Sequence, residues 1–243
     1  MPLSDVSLVI PVYNEAENVP ALFASIAQHV GPDAEVLICY DGDDDDTLPA
    51  AREWVGRLPN LRFVKNEFGR GPLGAIRSGF SASSKPAVIV MMADLSDDLA
   101  CIPAMVELFR GGCHVVAGSR YMKGGRQIGG PLLKRSLSRL AGVSLHYLVR
   151  LGTHDATNSF RLYSRKLLDS VTIESDGGFE LGIELTVKAH LLGFKVGEVP
   201  TTWTDRTAGT SRFRLWKWLP KYLRWYLRAI AGAWFRLGLP SPQ

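Results

Sequence analysis

The stretch PAVIVMMADLSDD, Pro86 to Asp98, is apolar as far as Ala93 and then places three carboxylates in five positions, at Asp94, Asp97 and Asp98. An unbroken apolar run between a proline and a charge cluster reads as a strand buried on both faces that ends at a polar edge. Working outward, comparable runs cover Val6 to Val12, Glu35 to Tyr40, Arg62 to Lys65 and His114 to Ala117, with Ala87 to Ala93 fourth in order. Apolar residues at helical spacing fill the gaps, at Asn18 to Val30, Leu48 to Leu58, Leu73 to Ala82 and Pro103 to Arg110. Strands alternating with helices of these lengths predict an α/β fold, a mostly parallel sheet flanked by helices. Further on, Leu132 to Leu151 and Phe179 to Leu192 read as helices, and Thr157 to Tyr163 and Lys195 to Trp203 as strands. The Gly-rich, basic segment Met122 to Pro131 reads as a mobile loop.

In such a sheet, ligands bind beyond the carboxyl ends of the strands. Polar clusters fall there: Pro11 to Glu15, Asp41 to Thr47, Asp94 to Asp98 and Gly118 to Tyr121. Asp41 to Asp46, ahead of Thr47, holds five carboxylates in six positions, more than a turn and a helix cap require, so a nucleotide contact at Asp41 and Asp45 is expected. Asp94, Asp97 and Ser96 offer hard oxygen ligands for Mg2+ or Mn2+. Met92, expected on the same side as Asp94, is a soft thioether that does not suit a hard cation. Arg120 follows a buried strand, where a lone cation is costly, so it is expected to face an anionic ligand. Glu180 and Glu184 lie one helical turn apart and read as surface, and His146, His154 and His190 stand singly, without carboxylate or Cys spacing, as non-catalytic.

Composition fits a globular chain: 243 residues, 46% hydrophobic and 21% charged. Cys39, Cys101 and Cys113 lack metal-ligand spacing and read as reduced. Met1 to Glu15 has no basic leader, so no secretory signal is expected. The net charge of +4 hides an asymmetry. After Asp205 there are eight basic residues and no acid, which leaves 20 basic against 24 acidic residues before that point. In the tail Leu223, Leu227, Ile230, Trp234 and Leu237 share one helical face, with Lys221, Arg224 and Arg228 opposite. This pattern predicts an interfacial helix on a membrane surface, the alternative being a helix packed on the domain. It does not predict a span, because no uncharged apolar run after Arg228 exceeds Ala229 to Phe235, against the roughly 20 residues required. No nucleic-acid-binding motif is found.

Five motifs carry a resemblance. Val9 to Glu15 (VIPVYNE), Asp41-Gly42 with Asp45 and Thr47, Gly118 to Tyr121 (GSRY), Asp155 to Tyr163 (DATNSFRLY), and Asp205-Arg206 with Gly209 and Ser211 occur in one order. In these the chain resembles the inverting family-two glycosyltransferases of GT-A fold, and within them the dolichol-phosphate mannose synthase group. The resemblance implies a GT-A domain over residues 1–212 and a basic, aromatic tail over 213–243. It implies donor contacts with a GDP- or UDP-linked sugar at Pro11, Tyr13, Glu15, Asp41, Asp45, Arg70, Ala93 and Asp94. It also implies catalytic work by Asp94, Asp97 and Arg120, a polyprenyl phosphate held by Arg120, Lys134, Arg135 and Arg206, and a peripheral place on the cytoplasmic face of a membrane. Where the family has D-A-D, Met92 replaces the first aspartate, a departure that bears on metal affinity. An acceptor with a sugar hydroxyl would need a base, for which Asp97, Asp98 and Glu180 are candidates. A silent nucleotide-sugar-binding protein and a nucleotidyltransferase are further alternatives.

Overall fold

The computed structural model describes residues 2–205 and 215–235. Its first half alternates as the sequence predicts. Strand β1 (Val6–Pro11), helix α1 (Val19–His29), β2 (Glu35–Tyr40), α2 (Thr47–Arg52), β3 (Leu61–Lys65), α3 (Pro72–Ala82), β4 (Ala87–Val90), α4 (Ile102–Arg110) and β5 (Val115–Ser119) follow in turn. Prolines in the first turns of α1, α3 and α4 start these helices where a missing N–H costs nothing. The second half contains β6 (Arg126–Ile128), α5 (Leu132–Val149), β7 (Arg161–Ser164), α6 (Arg165–Ser170), α7 (Leu181–Leu191), β8 (Val196–Pro200), β9 (Thr202–Thr204) and α8 (Leu215–Phe235).

Seven strands form one sheet in the order β3-β2-β1-β4-β7-β5-β8. All neighbours are parallel except β7, which runs antiparallel to both β4 and β5. That reversal matters for the site. A strand running the other way presents its beginning at the carboxyl edge of its neighbours, so Arg161 lies level with Val90 and Ala117, and residues 155–160 arrive beside them.

Alternate residues of the strands feed two cores. Leu8, Ile10, Ile38 and Ile89 pack against Phe23 and Ile26 of α1 and Met105 of α4. Val9, Leu37, Val88 and Val90 pack against Ile76 and Phe80 of α3 and Leu185 of α7. A third cluster joins α5, α7 and α8 through Leu145, Val149, Ile183, Val187, Trp225 and Ala229.

Several expectations change. The strand expected over Lys195 to Trp203 is divided at Thr201, whose N–H donates to the Ser119 carbonyl while its own carbonyl accepts from Arg126. Beyond that point the chain leaves β5 and pairs, as β9, with β6. Met122 to Pro131, expected as a mobile loop, therefore contains a strand. Glu180 and Glu184 are buried at 1% and 0% exposure rather than on the surface, because α7 is covered by the sheet on one side and α8 on the other. Glu184 holds Lys188 at 2.7 Å and accepts the N–H groups of Glu174 and Ser175, which satisfies a buried charge that would otherwise be costly.

The tail helix packs on the domain, the alternative that the sequence left open. Its cations pair with acids of the domain surface: Arg224 meets Glu174 at 2.5 Å, Arg228 approaches the same carboxylate at 3.8 Å, and Lys221 pairs with Asp176. Trp218 and Trp225 are buried, while Leu223, Leu227 and Trp234 point outward. Thus α8 both packs on the domain and keeps an apolar face exposed. Leu133, Leu140 and Tyr147 of α5 are exposed as well. The indole N–H of Trp234 donates to the Leu148 carbonyl, and the Ser144 and Tyr226 hydroxyls lie 3.0 Å apart, so the two helices are joined. Among the described residues, no helix is long and apolar enough to cross a membrane. Arg206, Arg212, Leu237 and the expected boundary near residue 212 lie outside the described residues.

Candidate active site

A cavity opens at the carboxyl edge of the sheet. Part of its lining comes from the strand ends: Met92, Asp94 and Ser96 after β4, Arg120 after β5, and Thr157, Asn158 and Ser159 ahead of β7. The rest of the lining is largely apolar: Ile76 from α3, Leu137 and Ala141 from α5, Phe179, and Leu219 and Tyr222 from α8, together with Lys134 of α5 and Trp203 and Asp205 from the β9 segment.

The acidic loop is tightly wound. Leu95 takes a left-handed backbone, φ 60°, a conformation that costs a side-chain-bearing residue about 1 kcal/mol and lets the loop reverse between Asp94 and Ser96. Asp94 Oδ1 accepts the Ser96 N–H at 3.2 Å, and Asp97 Oδ2 accepts the Met92 N–H at 3.3 Å. Asp97 Oδ1 is buried without a partner. Burial, then the charge of Asp94, push the Asp97 carboxyl up to about 7. Asp98 is different, since it caps the following turn by accepting the Ala100 N–H. From the other side the Thr204 N–H donates to the Ser96 carbonyl, which ties β9 to this loop.

These residues fit a divalent cation. Two buried carboxylates in mutual repulsion, one with an orphaned oxygen, form a hard donor set that a cation would neutralise. The protein shell is thin: among the described residues no group of three or more His, Cys, Asp or Glu side chains is arranged around a metal position. Met92 lines the cavity beside Asp94, as its place in the sequence predicts, and adds no hard ligand.

Arg120 is not the lone cation its place after a buried strand suggests, because the fold supplies an anion of its own. Its Nε and Nη2 meet Asp155 at 2.7 and 3.0 Å, and its backbone N–H donates to the same carboxylate. Burial opposes ionisation of Asp155, yet Arg120 overrides it and holds the carboxyl below the usual range. Nη2 donates also to Ser138 and Thr157, whereas among the described residues no acceptor pairs with Nη1. A bound cation with one uncommitted edge therefore faces the cavity. Asp155 is the partner that inspection of single motifs does not reveal.

Other expected site residues lie further out. Pro11 is buried in β1, and Tyr13 is exposed beyond it. The Glu15 side chain accepts from Asn18. Asp41 accepts from Asn66 Nδ2 at 2.6 Å and from the Gly71 N–H at 2.9 Å, which holds the loop carrying Arg70, itself exposed. The crowding of carboxylates after β2 has internal relief. Asp45 accepts the N–H groups of Asn14 and Thr47, Asp46 that of Ala16, and Asp43 pairs with Lys65. Ala93 is buried under the acidic loop, and Arg135 is not in the cavity wall. Glu180 accepts the N–H groups of Asp176 and Gly177 and is not in the cavity wall. His154, which has no carboxylate at ligand spacing in the sequence, meets a distant one: its Nδ1 lies 2.6 Å from Glu198.

The sequence profile described as "Glycosyl transferase family 2" matches residues 7–172. Polyprenol monophosphomannose synthase of Mycolicibacterium smegmatis is 30% identical over 216 residues, which cover 84% of this chain and 79% of that protein. Dolichol-phosphate mannosyltransferase of Pyrococcus furiosus is 28% identical over 230 residues, covering 93% of this chain but 63% of that longer protein. Among solved structures, glucosyl-3-phosphoglycerate synthase from Mycobacterium tuberculosis, in complex with Mn2+, uridine-diphosphate and phosphoglyceric acid, aligns with a TM-score of 0.65 at 21% identity. That alignment covers 97% of this chain and 79% of the other. At such identity the likeness speaks for the fold alone.

Proposed function

The chain belongs to glycosyl transferase family 2, and we propose that it moves a hexose from a nucleoside-diphosphate sugar to a polyprenyl phosphate. The observation that carries this reading is the mixed chemistry of the cavity's lining, acidic at Asp94, cationic at Arg120 and Lys134, and apolar along α5 and α8. The names of the two curated relatives support the same acceptor class.

A phosphate monoester is already ionised near neutral pH, with a second pKa of about 6, so its oxygen attacks the anomeric carbon without a base. The protein's task is then to bring two anions together. Arg120, through Nη1, and Lys134 hold the acceptor phosphate, and the apolar wall of Ile76, Leu137, Ala141 and Leu219 takes the first isoprene units. Asp94 and Asp97 would hold Mg2+ or Mn2+, which when bound neutralises the leaving diphosphate. Asp41 and Tyr13 border the adjoining strand ends where a GDP or UDP base would lie. The outward leucines of α5 and α8 support seating on a bilayer, where such an acceptor resides.

Purified protein incubated with GDP- and UDP-hexoses and polyprenyl phosphate in vesicles tests this, with glycosyl phospholipid as the expected product. Transfer only to a sugar hydroxyl would favour the second reading. One observation supports that reading: Asp97, pushed up to about 7, has the proton affinity of a general base.

A further inference from the structure

Arg120 is held by Asp155, and Asp155 is itself held from behind. The turn carrying it, Thr153-His154-Asp155, is gripped by Glu198 of β8, the strand that pairs with β5 and places Glu198 level with Ala117. One Glu198 oxygen accepts the His154 N–H at 2.8 Å and the Thr153 hydroxyl at 3.1 Å. The other lies 2.6 Å from His154 Nδ1. The Thr153 hydroxyl in turn accepts the Asp155 N–H at 3.0 Å, so directional bonds run unbroken from Glu198 to the residue that orients Arg120. On the opposite side the His146 ring, from α5, stacks on His154 with centroids 3.6 Å apart.

We propose that Glu198 is a positioning residue for the acceptor site, fixing the guanidinium of Arg120 through the Thr153–Asp155 turn. The inference rests on the reading of Arg120 as an acceptor-phosphate contact. Glu198 does not line the cavity, and neither does Thr153. Thr153 and Asp155 are fully buried, so water cannot replace the bond between them, whereas His154 and Glu198 are partly exposed. A shift of a few tenths of an ångström in Asp155 is passed directly to Arg120, and misplacement on the ångström scale costs up to about 100-fold in rate. The donor end at Asp94 and Asp97 is fixed by other bonds, to Met92 and Ser96, and is left alone.

Glu198→Ala, Glu198→Gln and the near-isosteric Thr153→Val separate this role from general support of the fold. Steady-state kinetics would be measured for polyprenyl phosphate and for the nucleoside-diphosphate sugar, together with melting temperature. Glu198→Ala and Thr153→Val are expected to raise the acceptor KM about tenfold, with donor KM unchanged. Glu198→Gln, which keeps one accepting oxygen, is expected to fall between them and the wild type. If Glu198→Ala does not fold, Thr153→Val carries the test. An acceptor KM that stays at the wild-type value in Thr153→Val, or that rises only in step with the donor KM, overturns the inference. A wild-type protein that forms no glycosyl phospholipid overturns the proposed function, and this inference with it. Glycosyl phospholipid formation with unmoved acceptor KM in the variants overturns the inference alone.

Discussion

Arg120 and Asp155 meet side on, Nε to Oδ2 at 2.7 Å and Nη2 to Oδ1 at 3.0 Å, with side-chain exposures of 8% and 0%. Each ion removes the cost of burying the other, so neither can be lost singly without leaving a charge stranded. Asp155→Ala is expected to destabilise the protein by about 3–5 kcal/mol, and the double variant Arg120→Ala/Asp155→Ala by less. Urea unfolding in a double-mutant cycle measures this. Additive losses would show that the pair is not coupled.

The carboxyl of Asp97 stands at about 7 against 3.8 for the free side chain, first through burial and then through Asp94. Between these values the folded protein holds a proton that the unfolded chain has released. Stability therefore falls as pH rises through that window and stays at the lower level above it. Asp97→Asn removes this slope, so its melting temperature is expected to exceed that of the wild type at about pH 8 and to converge with it near about pH 4. Melting curves across that range decide the matter, and a slope that survives in Asp97→Asn assigns it elsewhere.

Met92 lines the cavity beside Asp94 without offering a hard ligand. Met92→Asp adds a third carboxylate, and Mn2+ affinity in the presence of GDP or UDP is expected to rise about tenfold, read by electron paramagnetic resonance of free Mn2+. The same variant is expected to melt lower without metal, because the added charge repels Asp94. Unchanged Mn2+ affinity would place the cation away from this loop.

Trp225 is 1% exposed and closes the cluster that binds α8 to α5 and α7. Trp225→Ala is expected to cost about 3–5 kcal/mol. Glu174, which Arg224, Arg228 and Lys188 all approach, adds an electrostatic clamp at the same interface. Glu174→Gln is expected to expose the α8 segment to limited proteolysis, with added salt making the wild type behave similarly.

Leu223 and Leu227 are about half exposed, at 48% and 54%, so Leu223→Glu/Leu227→Glu should leave the melting temperature within about 2 °C. If the α5–α8 face seats on a bilayer, the same variant loses co-sedimentation with anionic vesicles. Retained binding would remove that face from the proposal.

Much of the scaffold was legible beforehand. Apolar runs ending at Asn14, Asp41, Asp94 and Arg120 located four strand ends, because a run apolar on both faces has few places to go but the middle of a sheet. Met92 and Asp94 share the cavity as their spacing implied. The tail's two faces were also visible. Which of them faces the protein was not, since Glu174 and Asp176 lie on a loop far away in the chain and no periodicity in the tail refers to them.

Local chemistry alone determined the strands, the polar edge and the motif order, because each depends on neighbours a few positions away. Tertiary structure decided what depends on distant partners. The reversal of β7 brought Asp155 to Arg120 across 35 positions, β8 set Glu198 behind them both, and α8 completed a wall of the cavity. A charge's role follows from what lies within a few ångströms of it, and at this site the chain supplies those neighbours from remote segments.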